Sequence, residues 1–302
     1  MTTFAVVVTS YNYRAFVEEA IDSALGQSRP PVQVVVVDDG STDGSPELLR
    51  ARYGDDPRVV LICGPNGGQL AAFRAGLSEI RADVVCFLDA DDRWNAGYLD
   101  RVGEVYDARA DVDFVFSDID LFGDETGKIA FATRGMDLGY TMVATYALTT
   151  WYGAPTSALS LRSGLARRCL DLPVEMLATW RLSADNCLVY GASLLGGRKL
   201  YLPTGCVGYR IHGGNGWWSN RGRVANYRNR MASRALIAQY ARMAGIDDSV
   251  LDLAKLEFRT KLDPDARETR RYAGLCLRGR APWWRRYGHA LRVLTHRNPR
   301  QP

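Results

Sequence analysis

Asp83-Val84-Val85-Cys86-Phe87-Leu88-Asp89-Ala90-Asp91-Asp92 is the stretch that decides the architecture. Its apolar run is short, continuous and bounded by acids, the pattern of a strand buried on both faces. Beyond Leu88 stand three carboxylates, Asp89, Asp91 and Asp92, which repel one another at such spacing unless a cation lies among them. Strand ends in open α/β sheets are also where ligands bind. These residues read as a divalent-cation site that holds the phosphates of a nucleotide.

On the N-terminal side of this strand, apolar segments of period two and of helical period alternate. Residues 4–8, 32–37, 59–63 and 84–88 read as strands, and 14–25, 45–53 and 69–80 as helices. The first helix carries Phe16, Val17, Ala20, Ile21, Ala24 and Leu25 at helical spacing and stops before Pro30-Pro31. Alternation of this kind predicts an α/β fold with a mostly parallel sheet flanked by helices and right-handed crossovers. On the C-terminal side, a helix over 98–106 and a short strand over 114–116 precede an irregular, glycine-rich stretch from 122 to 155. Helices over 162–169 and 185–195 and a last strand over 207–211 follow, and beyond Val224 the pattern is helical to the end.

The chain has 302 residues, enough for a full core. Its net charge of +4 is unevenly placed: ten arginines and one acid, Glu268, lie between Arg267 and Arg300, so the remainder is net acidic. The six cysteines form no C-x-x-C pair, which argues against a zinc site and fits a reducing compartment. Residues 1–8 read as the first strand rather than a leader, and no apolar run approaches a membrane span. The expectation is a cytoplasmic protein. In the tail, Trp283, Trp284 and Tyr287 among arginines suit either an anionic membrane surface, here the inner face, or a helix packed on the main domain with a solvated basic face. No nucleic-acid module accompanies the charge, so nucleic acid is not an expected partner.

Three further strand ends carry polar clusters. Val7-Val8-Thr9-Ser10-Tyr11-Asn12 offers an aromatic ring for a nucleobase and a nearby amide, or a turn in which Asn12 caps the next helix. Asp38-Asp39-Gly40-Ser41-Thr42-Asp43 offers a carboxylate that can accept from the imide N–H of uracil or thymine, or again a cap. Asn66-Gly67-Gly68-Gln69 lets backbone N–H groups approach a ligand at a helix start. It lacks the Gly-Lys-Ser/Thr ending of a Walker loop, and no G-x-G-x-x-G follows the first strand.

The ordered set Thr-Ser-Tyr-Asn, Asp-Asp-Gly-Ser-Thr-Asp, Asn-Gly-Gly-Gln and Asp-Ala-Asp-Asp resembles the family 2 glycosyltransferases over about residues 4 to 215. The resemblance implies a GT-A-type, Rossmann-like fold and inverting transfer of a sugar from a nucleotide diphosphate with Mg²⁺ or Mn²⁺. It implies a donor site of Thr9, Tyr11, Asn12, Asp39, Asn66, Gln69, Asp89, Ala90 and Asp91, with Tyr11 and Asp39 at the base, Asp89 near the ribose and Asp91 on the metal. Phe73-Arg74 stands where many members have Arg-Asn, so Arg74 either replaces the donor-binding arginine or points to solvent.

Leu182-Ser183-Ala184-Asp185-Asn186-Cys187 resembles the segment supplying the catalytic base, with Ala184 in place of a glutamate and Asp185 as the base; otherwise Ser183 caps a helix that Asp185 opens. Tyr209-Arg210-Ile211-His212-Gly213-Gly214-Asn215 resembles the family's Tyr-Arg-x-His-x-x-Asn ending and adds His212 to the metal. Trp217-Trp218 and the Trp151–Thr156 segment fit either an acceptor platform or the core. The expected organisation is a glycosyltransferase domain over 1–224, its donor half over 1–120 and acceptor half over 121–224, and a basic helical extension over 225–302. The expected acceptor is a glycan or lipid-linked hydroxyl. A sugar nucleotidyltransferase, a silent nucleotide-sugar binder and a membrane-tethered scaffold are the competing classes.

Overall fold

Phe4–Ser10 (β1) is buried along its whole length, as its run of valines requires of a central strand. A computed structural model describes residues 1–214 and 222–296; Asn215, Trp217, Trp218, Arg297 and Arg300 lie outside the described residues. Helix α1 (Val17–Leu25) follows, then β2 (Gln33–Asp38), α2 (Ser45–Tyr53), β3 (Val59–Cys63), α3 (Gln69–Glu79), β4 (Val84–Asp89) and the two-residue β5 (Arg93–Trp94). The helix expected from residue 14 begins only at Val17, because Phe16 and Val17 donate to the Tyr13 carbonyl in a tight turn.

The second half continues as α4 (Tyr98–Ala108), β6 (Phe114–Ser117), β7 (Ile119–Gly123), β8 (Gly127–Ile129), β9 (Met136–Gly139) and α5 (Met142–Leu148). After them come β10 (Leu159–Arg162), α6 (Ser163–Leu170), α7 (Glu175–Thr179), α8 (Asp185–Leu194), β11 (Lys199–Leu202) and β12 (Val207–Ile211). The 122–155 stretch is therefore not irregular, and β10 and β11 are strands without a sequence signal. These strands are three to five residues long. Most of their pairs join segments far apart in sequence, β11 with β6 and β9, and β12 with β7. No local window contains the pattern that defines them.

Among the described residues the strands form two sheets. The larger has eight strands in the order β3-β2-β1-β4-β10-β6-β11-β9. The first four are parallel, as expected; β10 runs antiparallel to both β4 and β6. The strand expected last, β12, leaves this sheet and joins the smaller one, β5-β12-β7-β8. The fold is mixed α/β with helices flanking a large, mostly parallel sheet.

Four helices complete the described chain, α9 (Arg223–Ala244), α10 (Ala254–Phe258), α11 (Ala266–Cys276) and α12 (Trp283–Leu294). They share one apolar core with the sheet, from Phe4 to Val293. The Tyr240 hydroxyl on α9 is held near the Cys169 and Cys187 carbonyls, at 2.6 and 2.9 Å. Buried Glu257 on α10 accepts from the backbone N–H groups of Val143 (2.9 Å) and Ala144 (3.3 Å) at the start of α5, and from the Tyr272 hydroxyl (2.6 Å). Substituting Glu257→Ala strands these buried donors together, and we expect a loss of about 3 kcal/mol in urea unfolding.

Candidate active site

Three strand ends meet on one rim of the large sheet. Register sets Thr9 beside Asp89 and Ser10 beside Asp38, so the polar segments after β1, β2 and β4 converge. Tyr11 follows and is exposed. Asn12 is not a helix cap: the cap position of α1 is Phe16. Instead the Asn12 backbone N–H donates to Ser41 Oγ and its Oδ1 accepts from the Thr42 N–H, both at 2.8 Å, which ties the loops after β1 and β2 together.

Asp39 braces the next loop. Its Oδ1 accepts from the Gly67 N–H and its Oδ2 from the Gly68 N–H, each at 2.7 Å. The N–H groups of Gln69 and Leu70 donate to the carbonyls of Arg181 (2.8 Å) and Trp180 (3.3 Å). The start of α3 is thus closed by protein, and the backbone N–H groups expected to meet a ligand there are already bonded. Gly68 has φ of +88°, and a Cβ at that position would lie 2.7 Å from Arg181 Cα, so glycine is what lets the two segments touch. The Asn66 side chain accepts from Arg181 on the same segment.

Gln69 links the strand rim to α8. Its Nε2 donates to Asp89 Oδ1 (3.0 Å) and its Oε1 accepts from the Ala184 N–H (2.8 Å). One amide therefore sets the end of β4 relative to the first residue of α8, Asp185. Ser183 does not cap that helix; it is held at φ of +57° and the helix has no side-chain cap. Burial raises the Asp185 carboxyl to about 6, against hydrogen bonds from the Asn186 and Asp185 backbones that lower it. Its Oδ1 accepts from the Asn186 N–H at 2.9 Å.

The carboxylates after β4 have distinct surroundings. Asp89 also lies 3.3 Å from Thr9 Oγ1, and burial, then the charges of Asp91 and Asp185, push it up to about 7. Ala90 is buried and its N–H donates to the Thr9 carbonyl at 3.0 Å. Asp91 Oδ2 lies 3.0 Å from His212 Nε2, and the Tyr13 hydroxyl also bonds Asp91. The His212 ring is framed by Tyr13 and Phe16, with centroids 5.8 and 5.1 Å away. Asp92 is buried and fully engaged, its Oδ2 accepting from Ser157 Oγ (2.5 Å) and its Oδ1 from the Arg210 N–H (2.8 Å). Burial first, then Asp91 and Asp89, raises its pKa.

Several residues here had no individual role assigned from the sequence. Tyr209, on β12, has its hydroxyl pKa raised by burial and then by Asp92, Asp89, Asp91 and Asp185, so it stands among all four carboxylates. Tyr13 and Ser157 likewise become visible only once distant strands pair. Arg210 pairs with Glu19, its Nε donates to the Asp91 carbonyl (2.8 Å), and it lies over the rings of Phe16 and Phe122. Arg74 donates to the Leu172 carbonyl at 3.3 Å, and Phe73 is buried against Phe87.

A family model described as glycosyl transferase family 2 matches residues 5–168. The chain belongs to that family. An uncharacterised glycosyltransferase of Nostoc sp. is 34% identical over 216 residues, 70% of this chain and 65% of its own length. TuaG of Bacillus subtilis, a glycosyltransferase assigned to teichuronic acid biosynthesis, is 35% identical over 98 residues, 32% of this chain and 39% of its own. The chain thus spans less than two thirds of each relative. Among solved structures, Staphylococcus aureus TarS in complex with UDP-GlcNAc superposes with a TM-score of 0.58 at 16% identity, covering 97% of this chain and 81% of that one. The likeness shows the GT-A-type fold.

In this family 2 chain Asp39 holds the Gly67-Gly68 turn through two backbone hydrogen bonds. Asp39→Asn is expected to lower stability by about 2 kcal/mol in nucleotide-free protein. Thermal melting without ligand measures it.

Proposed function

We propose that the protein transfers a sugar, with inversion, from a nucleoside-diphosphate donor of the UDP or dTDP type to the hydroxyl of a glycan or lipid-linked acceptor, in glycan or polysaccharide synthesis. The observation that carries this reading is the approach of Asp185 to the Asp89–Asp91 strand end through the side chain of Gln69, in a chain of this family. The solved complex of TarS with UDP-GlcNAc and the teichuronic acid role named for TuaG support the donor and the pathway type.

The exposed ring of Tyr11 offers a face to the nucleobase, and Asp39 retains acceptor capacity for an imide N–H because each oxygen has a second lone pair. Asp91 and His212 would hold Mg²⁺ or Mn²⁺. A carboxylate oxygen and an imidazole nitrogen 3.0 Å apart suit that role. Among the described residues no group of three or more His, Cys, Asp or Glu side chains is placed to hold a metal ion, so Asp91 and His212 would be the ion's protein ligands. The ion would take its remaining ligands from the donor's phosphates and from water. When bound, the ion supplies Lewis-acid stabilisation of the leaving diphosphate.

Asp185 acts on the acceptor. Its Oδ1 is turned to the Asn186 N–H, leaving Oδ2 for the acceptor hydroxyl proton. That proton moves to Asp185 as the acceptor oxygen bonds the anomeric carbon and the bond to the diphosphate breaks. Attack from the opposite face inverts configuration. The Gln69 bridge fixes where this base stands, and such positioning is a large part of the rate.

Asp185→Asn is expected to reduce turnover by about a thousandfold while donor affinity by calorimetry changes little. Unchanged turnover would remove the assignment. With a base at about 6, turnover should fall as pH drops below that value, by roughly tenfold per unit, because the protonated carboxyl cannot accept; this acid limb should vanish in the Asn variant. Asp91→Ala should weaken donor binding in the presence of Mn²⁺ and match the parent protein once EDTA is added, as titration calorimetry would read.

A further inference from the structure

Helix α12 packs through Ala290 and Val293, which are buried against the neighbouring helices. The rest of its apolar side chains point outward. Trp283, Trp284, Tyr287, Leu291 and Leu294 are each between 55% and 63% exposed. By the 3.6-residue repeat they fall within an arc of about 100°. The rings gather: Trp283 meets Trp284 at 6.0 Å and Tyr287 at 6.3 Å between centroids, both edge to face. Soluble surfaces seldom leave such a cluster open without a partner.

The charges on α12 itself have one sign. Glu268 is the last acid in the sequence. Arg285 and Arg292 are exposed on α12, and no carboxylate pairs with either among the described residues. Nearby His289 has its pKa lowered, by burial and then by the charges of Lys255, Arg292 and Arg285, with Asp252 opposing. Tryptophan, tyrosine and leucine on one side and unpaired arginine beside them are complementary to a bilayer interface with anionic headgroups. At twelve residues the helix is too short to cross a bilayer, and no described helix is long and apolar enough to do so.

We propose that the outward face of α12 docks on the surface of a bilayer that carries anionic phospholipid. The helix lies in the interface plane, Trp283, Tyr287 and Leu291 entering the headgroup boundary and Arg285 and Arg292 reaching the phosphates. This docking is independent of the sugar-transfer reading.

The test uses the full chain in vesicle flotation, with vesicles of phosphatidylcholine alone and with about 30% phosphatidylglycerol added. The protein is expected to float with the anionic vesicles, to stay behind with the neutral ones, and to be released by salt. The double variant Trp283→Ser, Trp284→Ser should lower partitioning at least about tenfold. The double variant Arg285→Glu, Arg292→Glu should lower it by more than roughly twentyfold, since each arginine contributes about fivefold near such a surface. All four side chains are exposed, so circular dichroism should match the parent; if the tryptophan variant misfolds, the arginine variant carries the test. No flotation with either vesicle, equal flotation with both, or flotation unaffected by the folded variants would overturn the proposal. So would a dimer in sedimentation velocity that the tryptophan variant disperses, since the face would then belong to a second copy of this chain.

Discussion

The crowding of carboxylates at one strand end governs this molecule. Asp89, Asp91 and Asp92 leave the end of β4 together, and Asp185 approaches from α8. In a partly buried site their repulsion opposes folding. The structure meets this with a different set of neighbours for each acid. Asp92 is enclosed by Ser157 and the Arg210 backbone, Asp89 by Gln69 and Thr9, and Asp91 by His212 and Tyr13. The elements that supply those neighbours come from both halves of the chain, so the rim is also what draws β12 and α8 toward the parallel sheet.

The parallel core was legible because its strands are continuous valine-rich runs and its helices have long apolar stripes. Residues 59–63 and 45–53 were read to the residue as β3 and α2. In the second half β6 and β12 were legible as well, but the strands between them were not, since β9 and β10 gain their identity from β11, β4 and β6 rather than from local pattern. The same division holds in the site. Asp89, Asp91, Asp185 and His212 stand out as motif residues, and the fold gathers them on one rim. What no motif conveys is connection. Asp39 holds the Gly67-Gly68 turn, the start of α3 is closed by Trp180 and Arg181, and Ser157 joins Asp92 to Asp89. Each of these contacts spans from about thirty to more than one hundred residues, a distance at which sequence spacing carries no information.

The helical segment after residue 222 is part of the same physical object. Its inner surface supplies Glu257, Tyr240 and Tyr272 to the common core, while Glu268 pairs with Lys261 and Arg271 in the interior. Its outer surface is aromatic and cationic. One stretch of chain therefore contributes order inward and an unpartnered face outward, and the two properties reside on different sides of the same helices.

The closure of α3 by Trp180 and Arg181 has a consequence for variation. Between Leu172, bonded by Arg74, and Trp180 runs a segment whose helix α7 buries none of its residues. Pinned at both ends and lightly packed between them, it is a hinge-free bridge whose span can lengthen, shorten or change composition at small entropic cost. Evolution can rewrite that bridge while the amide of Gln69 keeps α8 in place, so novelty and constancy are separated by only a few residues of chain.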